Sequence, residues 1–261
     1  MFIRTKSAVI AIVASTHSCI ALAAGPQSSR FGEKLAEWQV VIGAGALMVP
    51  KYEGSDEFEV LPVPFVSATL FDALTIDPTG ATVILFHQGA FKLGAKVGYE
   101  MGREEDDGDR LRGLGDVDGG ITAGAKASIQ FGPAELFAEV DKTFSGSDGL
   151  VGRFGVEVTQ PLSPSWVIGA GASAVIADEK HMQAYFGVTP EQAVRSGLPA
   201  HEIGAGFKRA DFSLSATYLA DRNWMIRAEA RLGVLVGDAA DSPIVAEKLQ
   251  PSAMLGVGYR F

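Results

Sequence analysis

Three stretches of this chain alternate apolar and polar side chains without a break, and that period of two governs what it can fold into. Across residues 91–101 the odd positions are Phe91, Leu93, Ala95, Val97, Tyr99 and Met101, and the even ones are Lys92, Gly94, Lys96, Gly98 and Glu100. Residues 121–131 repeat the pattern, with Thr122, Gly124, Lys126, Ser128 and Gln130 on the polar side, and residues 224–234 show it again. A helix has a period near 3.6; a strand has a period of two. Each stretch is ten residues or longer, beyond the five or six usual in globular sheets and matched to the ~9–11 with which a tilted strand crosses a bilayer. A soluble β-sandwich alternates too. Strand length argues against it, as do the many alanines on the apolar faces, which suit a lipid-facing wall better than a close-packed core. In hydrocarbon an open sheet edge leaves N–H and C=O groups unpaired, so the sheet must close. The expected fold is all-β, a transmembrane antiparallel up-and-down β-barrel.

Counting supports closure. Upward strands are placed near 38–48, 69–76, 91–101, 134–144, 166–177 and 224–235, and returning strands near 58–66, 81–87, 119–131, 150–160, 203–219 and 252–261. Twelve is an even number, as in bacterial outer-membrane barrels, with both termini periplasmic. Short connections at Gly132-Pro133, 161–165 and 220–223 contrast with long polar ones at 103–117, 178–202 and 236–251. Pro62, Pro64 and Pro78 blur the boundaries between 58 and 86. Glycine fills 31 of 261 positions, which disfavours a helical bundle because each helical glycine costs about 1 kcal/mol. The net charge is −9, and no basic stretch interleaved with aromatics offers the phosphate-neutralising surface that nucleic acid requires.

Residues 1–23 read as a signal peptide: Arg4 and Lys6, an apolar stretch, then Ala21-Leu22-Ala23. Its apolar run is too short to span a bilayer. The lone Cys19 falls in this segment, so the mature chain has no disulfide or thiolate chemistry. A short periplasmic segment, 24–37, precedes the barrel, 38–261, and the location is the bacterial outer membrane. Trp38, Trp166 and Trp224 open upward strands while Phe131, Tyr218 and Phe261 end downward ones, giving one periplasmic aromatic girdle. Leu255, Val257, Tyr259 and Phe261 alternate with small or polar residues and read as the signal for the barrel assembly machinery. Outer-membrane lipid and lipopolysaccharide are the expected surroundings.

The inward parity collects Lys92, Lys96, Glu100, Lys126, Glu135, Glu139, Asp141, Arg153, Glu157, Arg227, Glu229 and Arg231. A uniformly basic lining would indicate an anion channel; mixed signs indicate a lumen laced with salt bridges, either plugged or a narrow pore. A two-residue turn at Gly132-Pro133 sets Lys126 opposite Glu139, and a salt bridge is expected between them. Thr189, Pro190, Gln192 and Gly197 spell a short helix with a capping box, lying over the rim or folding into the mouth. The acidic run 104–109 lacks calcium-loop spacing and reads as a solvated loop. His181 and His201 share one loop without a third ligand, and His87 lies near a periplasmic turn. No catalytic residue, cofactor site or metal site is read from the sequence.

Several segments carry a resemblance: 50–56 (PKYEGSD), Gly113-Leu114-Gly115-Asp116, 185–199 (YFGVTPEQAVRSGLP), 237–245 (GDAADSPIV) and the terminal Tyr259-Arg260-Phe261. On these the chain resembles the MipA/OmpV family of outer-membrane proteins. The resemblance implies a non-enzymatic scaffold that links a murein-degrading lytic transglycosylase and a murein synthase to the outer membrane. A porin-like channel for small solutes is the alternative that it carries.

Overall fold

The computed structural model describes residues 38–71 and 73–261, with side chains from Val40 onward; the signal peptide and the segment 24–37 lie outside the described residues. Twelve antiparallel strands follow one another around a closed barrel, the first pairing with the last. They are β1 (Trp38–Pro50), β2 (Phe58–Leu70), β3 (Leu74–Asp77), β4 (Gly80–Gln88), β5 (Phe91–Glu100), β6 (Gly120–Phe131), β7 (Ala134–Phe144), β8 (Leu150–Ser163), β9 (Trp166–Ala177), β10 (Gly206–Leu219), β11 (Trp224–Leu235) and β12 (Leu249–Arg260). Outward positions hold exposed apolar side chains on every side; Leu214 is 66% exposed and Leu255 59%. A closed wall with this much bare hydrocarbon has lipid as its solvent. The ends differ. Turns such as Gly89-Ala90 and Gly132-Pro133 close one, here the turn end, while the loop end carries helices α1 (Glu179–Phe186), α2 (Pro190–Ser196) and α3 (Gly237–Ala240) and two 3-10 turns, Glu105–Asp107 and Asp109–Leu111.

The β6–β7 hairpin has the register its turn dictates. Gly132 takes φ 57°, a left-handed value that glycine adopts without strain, and Phe131 faces Ala134, Ser128 faces Phe137, and Lys126 faces Glu139. The salt bridge expected across that last pair does not form. Lys126 Nζ lies instead 3.5 Å from Glu135 Oε1 and over the Phe137 ring. Glu139 is held by Arg153 Nε of β8 at 2.8 Å and by Lys96 Nζ of β5 at 3.4 Å. Lys96 gets there because the residue beside it on β6 is Gly124, which puts no side chain in the way; beyond lies Asp141, 2.8 Å from the same ammonium.

The third strand differs from the expected 69–76. β2 runs on to Leu70, and β3 has only four residues. It pairs with β2 through Ala68, Thr69 and Leu70 alone, so among the described residues no strand pairs with that edge of β2 from Phe58 to Ser67. The Leu70 carbonyl accepts from Ala73 and thus points towards β3. Backbone groups alternate in direction along a strand, so even-numbered residues present theirs to the open edge. Pro62 and Pro64 are both even, and proline has no N–H to leave unpaired. The two prolines that blur the sequence pattern therefore sit where the wall is incomplete.

Inside the barrel at this point Leu47 and Val63 are buried with Val49, Leu61 and Met254 packed against them. Glycines face each other on β1 and β12, Gly43 with Gly258 and Gly45 with Gly256. A Cβ at Gly43 would collide with the Phe65 ring and with the Val257 carbonyl, so the ring's position depends on the bare backbone beneath it.

Candidate functional site: the capped mouth

The loops at the loop end pack into a hydrophobic cap. Asp178 caps α1 by accepting from the His181 amide, and Met182 and Phe186, four residues apart on one helix face, are fully buried with Ile203, Leu235 and Ala239. A second cluster joins Tyr52, Leu111, Leu114, Val188 and Ile244 from four different loops. The Ser242 hydroxyl donates to the Phe186 carbonyl at 2.5 Å and ties the two clusters together. The helix read from Thr189 to Gly197 is present with its capping box and a left-handed Gly197. It lies over the rim, Gln192 and Arg195 donating to the Leu114 and Gly113 carbonyls. The helix that enters the mouth is α1, within the stretch 178–202 expected as a long polar connection; its Asp178 cap and the Met182/Phe186 spacing are the signals that mark it.

Beneath the cap runs a chain of buried polar groups. Glu100, at the end of β5, accepts from Ser147 Oγ (2.6 Å), Thr143 Oγ1 (2.9 Å) and His181 Nδ1 (3.1 Å). Lys208 Nζ on β10 donates to His181 Nε2 at 3.0 Å and to Glu53 Oε2 at 2.9 Å, and Arg209 holds the other oxygen of Glu53 at 2.7 Å. With Glu100 on one nitrogen and a lysine on the other, His181 is neutral. Burial lowers its pKa, Lys208 lowers it further, and Glu100 opposes both. Burial alone would raise the Glu53 carboxyl, yet Lys208 and Arg209 outweigh it and hold the group at about 2. Tyr185 stands well above the usual phenol range, through burial first and the charge of Glu100 second.

A cavity of about 210 Å³ opens between the β1–β2 loop and the end of β5. Arg103 lines it and is 5% exposed. Its Nη1 donates to the Tyr185 carbonyl at 3.2 Å, its Nε has no partner, and no carboxylate among the described residues lies within 4.0 Å of it. Burial draws its pKa below the ordinary guanidinium value. Nothing in the sequence separates Arg103 from the other arginines.

The lumen below holds the charges read from inward parity in discrete groups. Glu229 sits between Arg227 (2.9 Å) and Arg231 (3.2 Å), Lys96, Glu139 and Arg153 form the group described above, and Glu157 faces Glu135 across β7–β8. Lys92 is exposed towards the turn end, and Glu100 belongs to the mouth rather than to the lumen. At the turn end Trp166 packs on Tyr218 at 5.0 Å between ring centres, Trp224 on Tyr259 at 5.1 Å, and Tyr259 on Phe261 at 4.9 Å. Leu255 and Val257 point outward; Trp38 opens β1 opposite Leu70, and its side chain is outside the described set. Within the acidic run Asp107 accepts from the Glu104 amide and Glu105 from the Gly113 and Gly115 amides, while Asp109 pairs with Arg112 at 3.0 Å.

A family model described as MltA-interacting protein MipA matches residues 42–261, while no curated protein matches the chain. Among solved structures the barrel is similar to the translocator domain of the autotransporter NalP from Neisseria meningitidis, at 13% identity over 86% of this chain and 89% of that one, TM-score 0.42. It is similar also to the NanC porin (9%, 86% and 100%, TM-score 0.41) and to Salmonella typhi OmpF (14%, 76% and 51%, TM-score 0.36), of whose length it spans about half. These are likenesses of architecture. The family match, running from inside β1 to the last residue of a closed barrel with an apolar outer wall, makes this chain a member of the MltA-interacting protein MipA family and an outer-membrane β-barrel.

Proposed function

We propose that the barrel is a non-enzymatic scaffold that holds a lytic transglycosylase, and with it a murein synthase, against the inner face of the outer membrane. In this reading the turn end and both chain termini face the periplasm and supply the docking rim, and the loop end faces outward amid lipopolysaccharide. The cap carries the reading: two buried clusters close the loop end, and ion pairs cross-link the lumen, as in a rigid platform. The family's description, which names an interaction with MltA, supports the choice of partner. The test is capture of the tagged barrel from solubilised envelopes. A lytic transglycosylase enriched over the level found with an unrelated barrel is the expected result, and its absence counts against the scaffold. A small-solute channel is the second reading, favoured by the charged inner wall; large, stable conductance steps in planar bilayers would support it over the scaffold.

A further inference from the structure

Two irregularities fall on the same side of the barrel. The β3–β4 hairpin is the shortest part of the wall, and the strands flanking it are β2 and β5. The cavity in the mouth is walled on one side by Lys51, Tyr52 and Glu53, which lead into β2, and by residues 100–103 at the end of β5, and is completed by Asp107, by His181 and Tyr185 of α1 and by Lys208 of β10. One wall of the cavity thus stands at the loop ends of the two strands that flank the unpaired edge of β2. We propose that they form a lateral binding site for an anionic amphiphile drawn from the bilayer, its phosphate or carboxylate on Arg103 and its chain along the open edge of β2.

The head position follows from charge. Buried Lys208 and half-buried Arg209, the other cations nearby, are both committed to Glu53. Lys51 is committed to Glu57. Arg103 alone among these four has no carboxylate partner, and its Nε is buried without an acceptor. A buried guanidinium without a counter-ion is costly, and its planar fork is shaped for two oxygens of one anion. The chain position follows from the edge. Val60 is 67% exposed and Val66 49%, on the same outward face as Pro62 and Pro64. An added protein strand would find no N–H to donate to its carbonyls at those two prolines. An alkyl chain needs none, and Val60 and Val66 belong to the exposed apolar outer wall.

The test uses the full barrel in neutral detergent, with bound lipid counted by native mass spectrometry. Dimyristoyl phosphatidic acid is the probe, and phosphatidylcholine of the same chains and inorganic phosphate are the comparators. One phosphatidic acid per barrel should be retained at least tenfold better than phosphatidylcholine, and Arg103→Gln should reduce retention about tenfold while Arg103→Lys keeps part of it. Val60→Asp, which sets a negative charge on the chain's path at an exposed position, should weaken retention independently; it carries the test if the Arg103 variants lose the heat-modifiable mobility of a folded barrel. Unchanged retention in Arg103→Gln and Val60→Asp overturns the proposal. Displacement by an equal concentration of inorganic phosphate overturns it too, because it would show an anion site without a lipid.

Discussion

Replacing Phe186 by alanine should open the cap and leave the barrel standing. The side chain is fully buried, and a phenylalanine that buries about 150–250 Å² contributes about 4–6 kcal/mol at ~25 cal/mol per Å². Truncations of this kind cost about 3–5 kcal/mol because the neighbours only partly collapse. We take about 4 kcal/mol, close to a thousandfold in the population of the open cap, since each 1.4 kcal/mol is a factor of ten. That loss falls on local opening, because the twelve strands do not depend on Phe186 for their pairing. Hydrogen exchange measured on a peptide covering α1 should therefore quicken by two to three orders of magnitude, while the heat-modifiable mobility of the barrel stays that of the wild type. Phe186→Leu, which fills most of the space, should show a much smaller change. Exchange within threefold of wild type in Phe186→Ala would refute the idea that the buried cluster holds the loops down.

Arg153→Ala should lower the urea midpoint of the barrel in lipid vesicles more than Lys126→Ala does, since Arg153 holds a mostly buried Glu139 at 2.8 Å, whereas Lys126 sits 3.5 Å from Glu135. The expected costs are about 3 kcal/mol for breaking a largely buried pair and no more than ~1 kcal/mol for the looser one; equal midpoints would contradict this ordering. The cap should loosen as pH falls below about 6.5. His181 has a lowered pKa when folded, so the opened state binds the extra proton first and stability drops with acidity. Glu53, held at about 2, adds a second loss only below the ordinary carboxylate range near 4.5. Exchange in α1 that is flat between pH 7.5 and 5.5, after correction for the intrinsic rate, would exclude the histidine contribution. Phe261→Ser should reduce the amount of heat-modifiable barrel in the outer membrane, and undiminished levels would show that the terminal aromatic is dispensable for assembly.

Where one face met lipid and the other met the lumen, the wall could be read directly from sequence, as in β5, β6 and β11, because solvent changes with every residue. β2 was hard to read for a physical reason. Its inward Leu61 and Val63 join an apolar cluster and its inward Phe65 lies over the glycines of β1 and β12, so Val60 to Val66 is apolar on both faces and the period vanishes. The register of Lys126 and Glu139 followed from the turn, but their ion pairing did not, because Lys96, two strands from Glu139, reaches it across Gly124 of the strand between. The mouth was the least legible. α1 is eight residues long with a polar average, and the chain from Glu100 through His181 to Glu53 is assembled from positions far apart in sequence. Arg103 owes its character to burial without a partner, a property of the fold alone.

The short third strand has a mechanical consequence. A closed sheet under hoop tension is only as strong as its weakest seam, and the seam joining the chain's two ends extends from Val41 to Met48 against β12. The seam between β2 and β3 is held by three residues, Ala68 to Leu70. Pulled open, this cylinder would tear beside its third strand and not at the junction of its termini. The β1–β2 hairpin would then leave still fastened to β12, as one flap hinged on the end of the chain.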